Sequence, residues 1–134
     1  MLRVVADSNV YISALNFGGV PDRVLALARR GRVQIFVSKP ILDEIEGVLK
    51  RKFGWPPSRA REALTAIRKF ASEVKAGERV AAVDKDEPDN RILECAVAAK
   101  ATVVVSGDSH LRTLGCFRKI RILSPKAFLD AIEG

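Results

Sequence analysis

Short, mostly apolar runs alternate along the chain with segments of helical periodicity, and this alternation narrows the folds open to it more than any other feature. Leu2 to Ala6, Val33 to Val37, Thr102 to Val105 and Ile120 to Leu123 have strand length. Leu2 to Ala6 lacks the in-out alternation of a strand with one wet face, so it reads as a strand buried on both sides, and Thr102 to Val105, β-branched and apolar, is the clearest strand of the four. Between them, Val24, Leu25, Leu27 and Ala28 recur at helical spacing after Pro21, which suits a first turn, and Gly31 stops that helix. Ile41, Leu42, Ile45, Val48 and Leu49 form one stripe behind Ser38, a candidate N-cap, and end at Lys50-Arg51-Lys52. Gly18-Gly19-Val20-Pro21 and Phe53-Gly54-Trp55-Pro56-Pro57 are breaks. Ser58 reads as the cap of a helix reaching about Ser72, and Ile92, Leu93, Ala96 and Ala99 mark another after an acidic loop, Asp84 to Pro88. Ser124 and Pro125 open the last helix, and Arg79 to Val83 reads as a short third strand. Strands separated by helices imply right-handed crossovers. The expected fold is therefore an α/β protein with a central, mostly parallel sheet in a three-layer α/β/α arrangement. With 134 residues, 48% of them hydrophobic, the chain is expected to form one domain over 1–134.

In open parallel sheets ligands bind beyond the carboxyl ends of the strands. Asp7 and Asp108 each fall just past such an end. A carboxylate there is costly to desolvate unless a cation or hydrogen bonds compensate, so two converging ones favour a metal ion, although either alone also suits a helix N-cap or a turn. Two further acids are ambiguous. On a helical wheel Glu44 and Glu46 flank the stripe centred near Ile45 equally, and periodicity does not choose between them. Asp89 opens the helix carrying Ile92, but Asp84, Asp86 and Glu87 compete with it.

The acids sit in a basic chain: 23 Lys and Arg against 16 Asp and Glu give a net charge of +7. Carboxylates clustered on a cationic surface point to a divalent ion beside a polyanion, hence to a metal-dependent nuclease. No apolar run reaches membrane-span length and no signal peptide stands out, so a cytoplasmic protein is expected. Cys95 and Cys116 are isolated and show no zinc-ligand spacing.

Four stretches together resemble one known family. Asp7-Ser8-Asn9-Val10-Tyr11-Ile12, Ser38-x-x-Ile41-Leu42-x-Glu44, Pro88-Asp89-Asn90-x-Ile92-Leu93-Glu94 and Val105-Ser106-Gly107-Asp108-x-His110-Leu111 resemble the PIN-domain family in order and spacing across nearly the whole chain. The resemblance is closest to the small prokaryotic VapC-type toxins of toxin–antitoxin pairs. It selects Glu44 over Glu46 and Asp89 over Asp86, and it makes Asp7, Glu44, Asp89 and Asp108 the catalytic and metal-binding acids. It also implies that Asn9 and Ser106 support those carboxylates. The implied activity is Mg²⁺- or Mn²⁺-dependent hydrolysis of single-stranded RNA, leaving 5′-phosphate and 3′-hydroxyl ends, with one or two ions. An antitoxin partner and a homodimer are further implications. One departure is that many relatives carry a further acid where this chain has His110.

Other residues carry weaker readings. Arg91 and Arg112 lie near the acids and are candidates for phosphate contacts, while Arg59, Arg61, Arg68 and Lys69 form a basic helix face that would be simply solvated or track the nucleic acid. His110, the only histidine, reads as a surface or packing residue that an activated water makes dispensable. Trp55 reads as packing in its own turn, with base stacking as the alternative. A receiver-type phosphoacceptor would need adjacent acids after the first strand. A haloacid-dehalogenase-like phosphatase would need a second Asp where Asn9 stands. The readings left beside a toxin nuclease are a housekeeping RNA-processing nuclease and a non-catalytic RNA- or protein-binding module.

Overall fold

The computed structural model describes residues 1–83 and 87–133. Its elements run β1 (Arg3–Ala6), α1 (Ser8–Phe17), α2 (Gly19–Arg29), β2 (Gln34–Val37), α3 (Lys39–Arg51), α4 (Pro57–Phe70), β3 (Ala71–Glu73), α5 (Glu87–Ala98), β4 (Val103–Val105), α6 (Ser109–Leu114), β5 (Cys116–Phe117), β6 (Ile120–Leu123) and α7 (Pro125–Glu133). The strands form one sheet in the order β3-β2-β1-β4-β6-β5. All neighbours are parallel except the terminal β5–β6 pair. This is the expected three-layer α/β arrangement. The chain winds outward from β1 through β2 to β3, then returns to the far side of β1 for β4 and β6. Strand order therefore reverses between β1 and β4.

The central strands are the apolar runs of the sequence. Val4, Val5, Val37, Val104 and Val105 are fully buried, and Ile35 and Phe36 almost so. Helix α5 lies against β1, β2 and β4 and buries Leu93, Cys95 and Ala96, all with no exposed surface. Side chains the size of valine or leucine contribute about 1.5–3 kcal/mol each when fully buried. Register between the central strands is flush: Ala6 pairs with Val105, and the Asp7 N–H continues the ladder onto the Val105 carbonyl at 3.0 Å. The first residues beyond the two strands therefore emerge side by side.

Three features depart from expectation. Helix α1 was not marked by a helical stripe, because Val10, Tyr11 and Ile12 are consecutive and all buried, a pattern that suits a strand equally well. The third strand is Ala71–Glu73, not Arg79–Val83. Ala71–Glu73 follows α4 without a loop and exposes both Ser72 and Glu73, so it carries little apolar signal. In Arg79–Val83, side chains of α5 take the backbone groups that a strand would pair. Glu94 accepts the Val80 N–H at 2.8 Å, and Asn90 accepts the Val83 N–H at 2.9 Å while donating to its carbonyl at 2.8 Å. Third, helix α4 starts at Pro57, with Pro56 rather than Ser58 at the cap position. Ser38 does occupy the N-cap position of α3, but without a side-chain cap bond. Ser124 caps α7 through the Ala127 N–H at 3.1 Å. Most of the acidic loop expected at Asp84 to Pro88, including Asp84 and Asp86, lies outside the described residues.

Candidate active site

Asp7 and Asp108 are the residues on which β1 and β4 turn into helices. Asp7 is the N-cap of α1, and its Oδ1 accepts the Asn9 N–H at 2.6 Å. Asp108 is the N-cap of α6, and its Oδ1 accepts the His110 N–H at 2.8 Å and the Leu111 N–H at 3.1 Å. The capping reading thus holds for both side chains, and it leaves one oxygen of each carboxylate outside the cap. The cap fixes each carboxylate at the mouth of the switch point, where a ligand would meet it.

Ser106 joins the two. Its hydroxyl, which has no exposed surface, donates to Asp7 Oδ2 and accepts the Asp108 N–H at 2.9 Å. Asn9 contributes through its backbone N–H, with its own side chain exposed. Asp7 is only 2% exposed. Burial pushes its carboxyl above the ordinary value, the bonds from Ser106 and Asn9 pull it down, and the charges of Asp108 and Glu44 push it up again; the net direction is upward.

Glu44 is the glutamate of α3 whose charge reaches Asp7, whereas Glu46 pairs with Lys50 at 3.7 Å. Glu44 lines a cavity of about 180 Å³ with Ser8, Ile41, Pro88 and Ile92. Asp89, the third residue of α5, is 6% exposed. Ligand-capable atoms of Asp89, Asp108 and His110 all lie within 4.8 Å of one another. Asp108 thus belongs to both groupings, with Asp7 and Glu44 on one side and Asp89 and His110 on the other. His110 is exposed, as a surface residue should be, but its ring also belongs to the acid cluster. Its spacing two residues after Asp108, across a capped turn, is the sequence signal that marks it.

The donor set fits a divalent cation. Carboxylate oxygens are the ligands that Mg²⁺ and Mn²⁺ prefer, and a bound cation would offset the burial and like charge that raise Asp7.

The cationic candidates divide. Arg91 is bound to the Glu94 carboxylate and the Val80 carbonyl, so part of its donor capacity is spent inside the protein. It also walls both the Glu44 cavity and an adjoining cleft of about 970 Å³ that Lys39, Lys75 and Arg79 line. Arg112 is exposed on α6. On α4, Arg68 pairs with Glu73 and Arg59 stacks 3.7 Å from the centre of the Trp55 ring. Trp55 also donates from Nε1 to Asn16 at 3.2 Å, so the half-buried ring packs between α1 and the start of α4 rather than within its own turn.

Fold and site together define a class: a doubly wound α/β protein whose switch point is lined with carboxylates. Within that class the chain belongs to the PIN-domain family, whose model matches residues 3–110. Three solved structures share the fold. VapBC2 from Rickettsia felis, bound to a DNA fragment from their promoter, aligns with a TM-score of 0.64 at 17% identity over 90% of this chain and 97% of that one. VapBC-1 from nontypeable Haemophilus influenzae gives 0.65 at 13% identity over 93% and 99%. Mycobacterium tuberculosis VapC20, described as a toxin cleaving the sarcin–ricin loop, gives 0.60 at 20% identity over 88% and 98%. No curated protein matches by sequence.

Proposed function

We propose that this chain is a metal-dependent endoribonuclease that hydrolyses phosphodiesters of single-stranded RNA and acts as the toxin of a toxin–antitoxin pair. The observation that carries this reading is the convergence of Asp7, Glu44, Asp89 and Asp108 on the switch point of a chain with net charge +7. RNA as substrate is supported by the likeness to VapC20, a sarcin–ricin-loop-cleaving toxin, and an antitoxin partner by the likeness to the two VapBC structures. A cytoplasmic location, a homodimer and one PIN domain over residues 1–134 belong to the same proposal; among the described residues no helix is long and apolar enough to cross a membrane.

In this reading Asp7, Glu44, Asp89 and Asp108 hold one or two Mg²⁺ or Mn²⁺ ions. When bound by these carboxylates, such an ion would supply activation of water and neutralisation of charge at the phosphoryl group. The protein's own part is positioning. Ser106 and the Asn9 N–H hold the Asp7 carboxylate in one orientation, and the α6 cap does the same for Asp108. Lys39, Lys75 and Arg79, in the cleft next to Glu44, offer cations to phosphates flanking the scissile one, with Arg91 in the wall between cleft and cavity; Arg112, exposed on α6, is a further candidate for a phosphate contact. The test is cleavage of defined single-stranded RNAs in Mg²⁺ and in Mn²⁺. Asp7→Asn and Asp108→Asn should each lower the rate by about 10²-fold or more. Parent-like cleavage by either variant, or undiminished cleavage in EDTA, would remove the metal-site assignment.

A further inference from the structure

We propose that His110 is itself a metal ligand, completing a position with Asp89 and Asp108, and that its nitrogen biases the site toward Mn²⁺ over Mg²⁺. This rests on the metal-dependent reading above and adds to it a ligand outside the four acids.

Three observations support the assignment. The first is distance: candidate ligand atoms of the three residues lie within 4.8 Å of one another. Donors at about 2.1 Å from one ion stand about 3 Å apart when adjacent and about 4.2 Å apart when opposite, so modest side-chain rotation gathers all three. The second is that the placement is local. The same Asp108 Oδ1 that caps α6 accepts the N–H of His110, so the backbone between the two donors is held by the turn itself. The third is position in the fold: Asp89 is buried at the first turn of α5 and Asp108 sits beyond the end of β4, so two separate elements converge on the exposed imidazole.

The chemistry follows from the donor set. Mg²⁺ takes oxygen ligands and parts reluctantly with water, whereas an imidazole nitrogen is a better partner for first-row transition ions. A site of two carboxylates and one imidazole should therefore favour Mn²⁺ more than an all-carboxylate site does.

His110 is the only histidine, so a nitrogen signal from a bound ion can be assigned without ambiguity. The experiment titrates metal-free protein with Mn²⁺ and with Mg²⁺ by calorimetry and measures electron spin echo modulation on the Mn²⁺-loaded sample. The parent should show directly coordinated ¹⁴N. His110→Gln should lose that coupling and weaken Mn²⁺ binding by about tenfold or more. His110→Asp should keep binding both ions while losing much of the preference for Mn²⁺. Because the position is exposed, both variants should melt like the parent without metal. The nitrogen coupling in the parent is a test that needs no variant. Bound Mn²⁺ without ¹⁴N coupling, or a His110→Gln protein with parental Mn²⁺ affinity, overturns the histidine's role. If that Mn²⁺ is lost in Asp108→Asn, the carboxylate site stands and only His110 is removed from it. A parent that binds neither ion overturns the proposal and the metal-dependent function together.

Discussion

Asp7 carries two demands that pull its chemistry in opposite directions. As the cap of α1 it must present an acceptor, and as a buried acid beside Asp108 and Glu44 it is held above the ordinary carboxyl range. An acid whose native-state value is raised makes the folded form bind the extra proton. Its ionisation therefore costs stability as pH climbs from the ordinary carboxylate range through the raised value, and the whole cost is present above it. Asparagine keeps an acceptor for the Asn9 N–H and removes the charge. In metal-free protein at neutral pH, Asp7→Asn should raise stability by on the order of 1 kcal/mol, about 4 °C in melting temperature. The gain should vanish in acid, where Asp7 is protonated in either fold state. Thermal melts in EDTA across pH decide it; a variant less stable than the parent at neutrality would mean that the carboxylate's hydrogen bonds outweigh its burial. At this scale the sequence was informative where a residue's place in the chain fixed its place in space. Asp7 directly follows β1 and Asp108 comes shortly after β4, and two flush parallel strands leave little choice about where the next residues go. His110 is marked in the sequence only by its spacing from Asp108; its approach to the buried Asp89, 21 positions earlier and on a different element, is made by the fold.

Among the elements, α5 does more than pack. Its Glu94, 4% exposed, accepts from Arg91 on its own helix and from the Val80 N–H across the chain, and its Asn90 holds both backbone groups of Val83. One face of the helix thereby fixes a segment without regular structure against the wall of the cleft that Lys39 and Lys75 line. Burial alone would raise the Glu94 carboxyl, but the bonds from Arg91 and Val80 and the charges of Arg91 and Arg79 outweigh it and leave it below the ordinary value. A lowered native value means the contribution is complete above the ordinary carboxylate range and is lost as pH falls through the lowered one. Glu94→Ala should cost about 3 kcal/mol at neutral pH, because it takes the carboxylate from beside the Arg91 guanidinium and the acceptor from the Val80 N–H, and much less in strong acid. Glu94→Gln keeps an acceptor and should cost less. Urea unfolding measures both, and a cost for the alanine variant below about 1 kcal/mol would place the pair with ordinary surface ion pairs. The same interactions explain why Arg79–Val83 reads as a strand. It has the apolar residues of one, but its partners are side chains of α5, and no local pattern announces that. The true β3 shows the converse: its strand character comes from pairing with β2, not from its own Ala-Ser-Glu sequence.

For the whole molecule, the arrangement of charge matters more than its sum. The reversal of strand order between β1 and β4 gathers acids at one place, in a chain whose net charge, those acids included, is +7. A polyanion is thus attracted to the protein at large but repelled at that place until cations occupy it. This separation was visible in the sequence as a basic composition with acids at strand ends; which cations flank the cleft was not, since Lys39, Lys75 and Arg79 come together only through the packing of α3, α5 and the segment after β3. If these side chains meet phosphates, binding must release counterions, and each contact with single-stranded nucleic acid contributes about −0.7 to the slope of log affinity against log salt. A cleavage-deficient Asp7→Asn protein binding a labelled single-stranded RNA should therefore show a slope of about −2 to −3. Lys39→Ala and Lys75→Ala should each flatten it by about 0.7 without altering the fold, because both side chains stand on the surface. Fluorescence anisotropy over a salt series makes the measurement. A slope near zero in the Asp7→Asn protein would mean that the basic surface does not receive RNA, and an unchanged slope when either lysine change is added to it would move the RNA path away from this cleft.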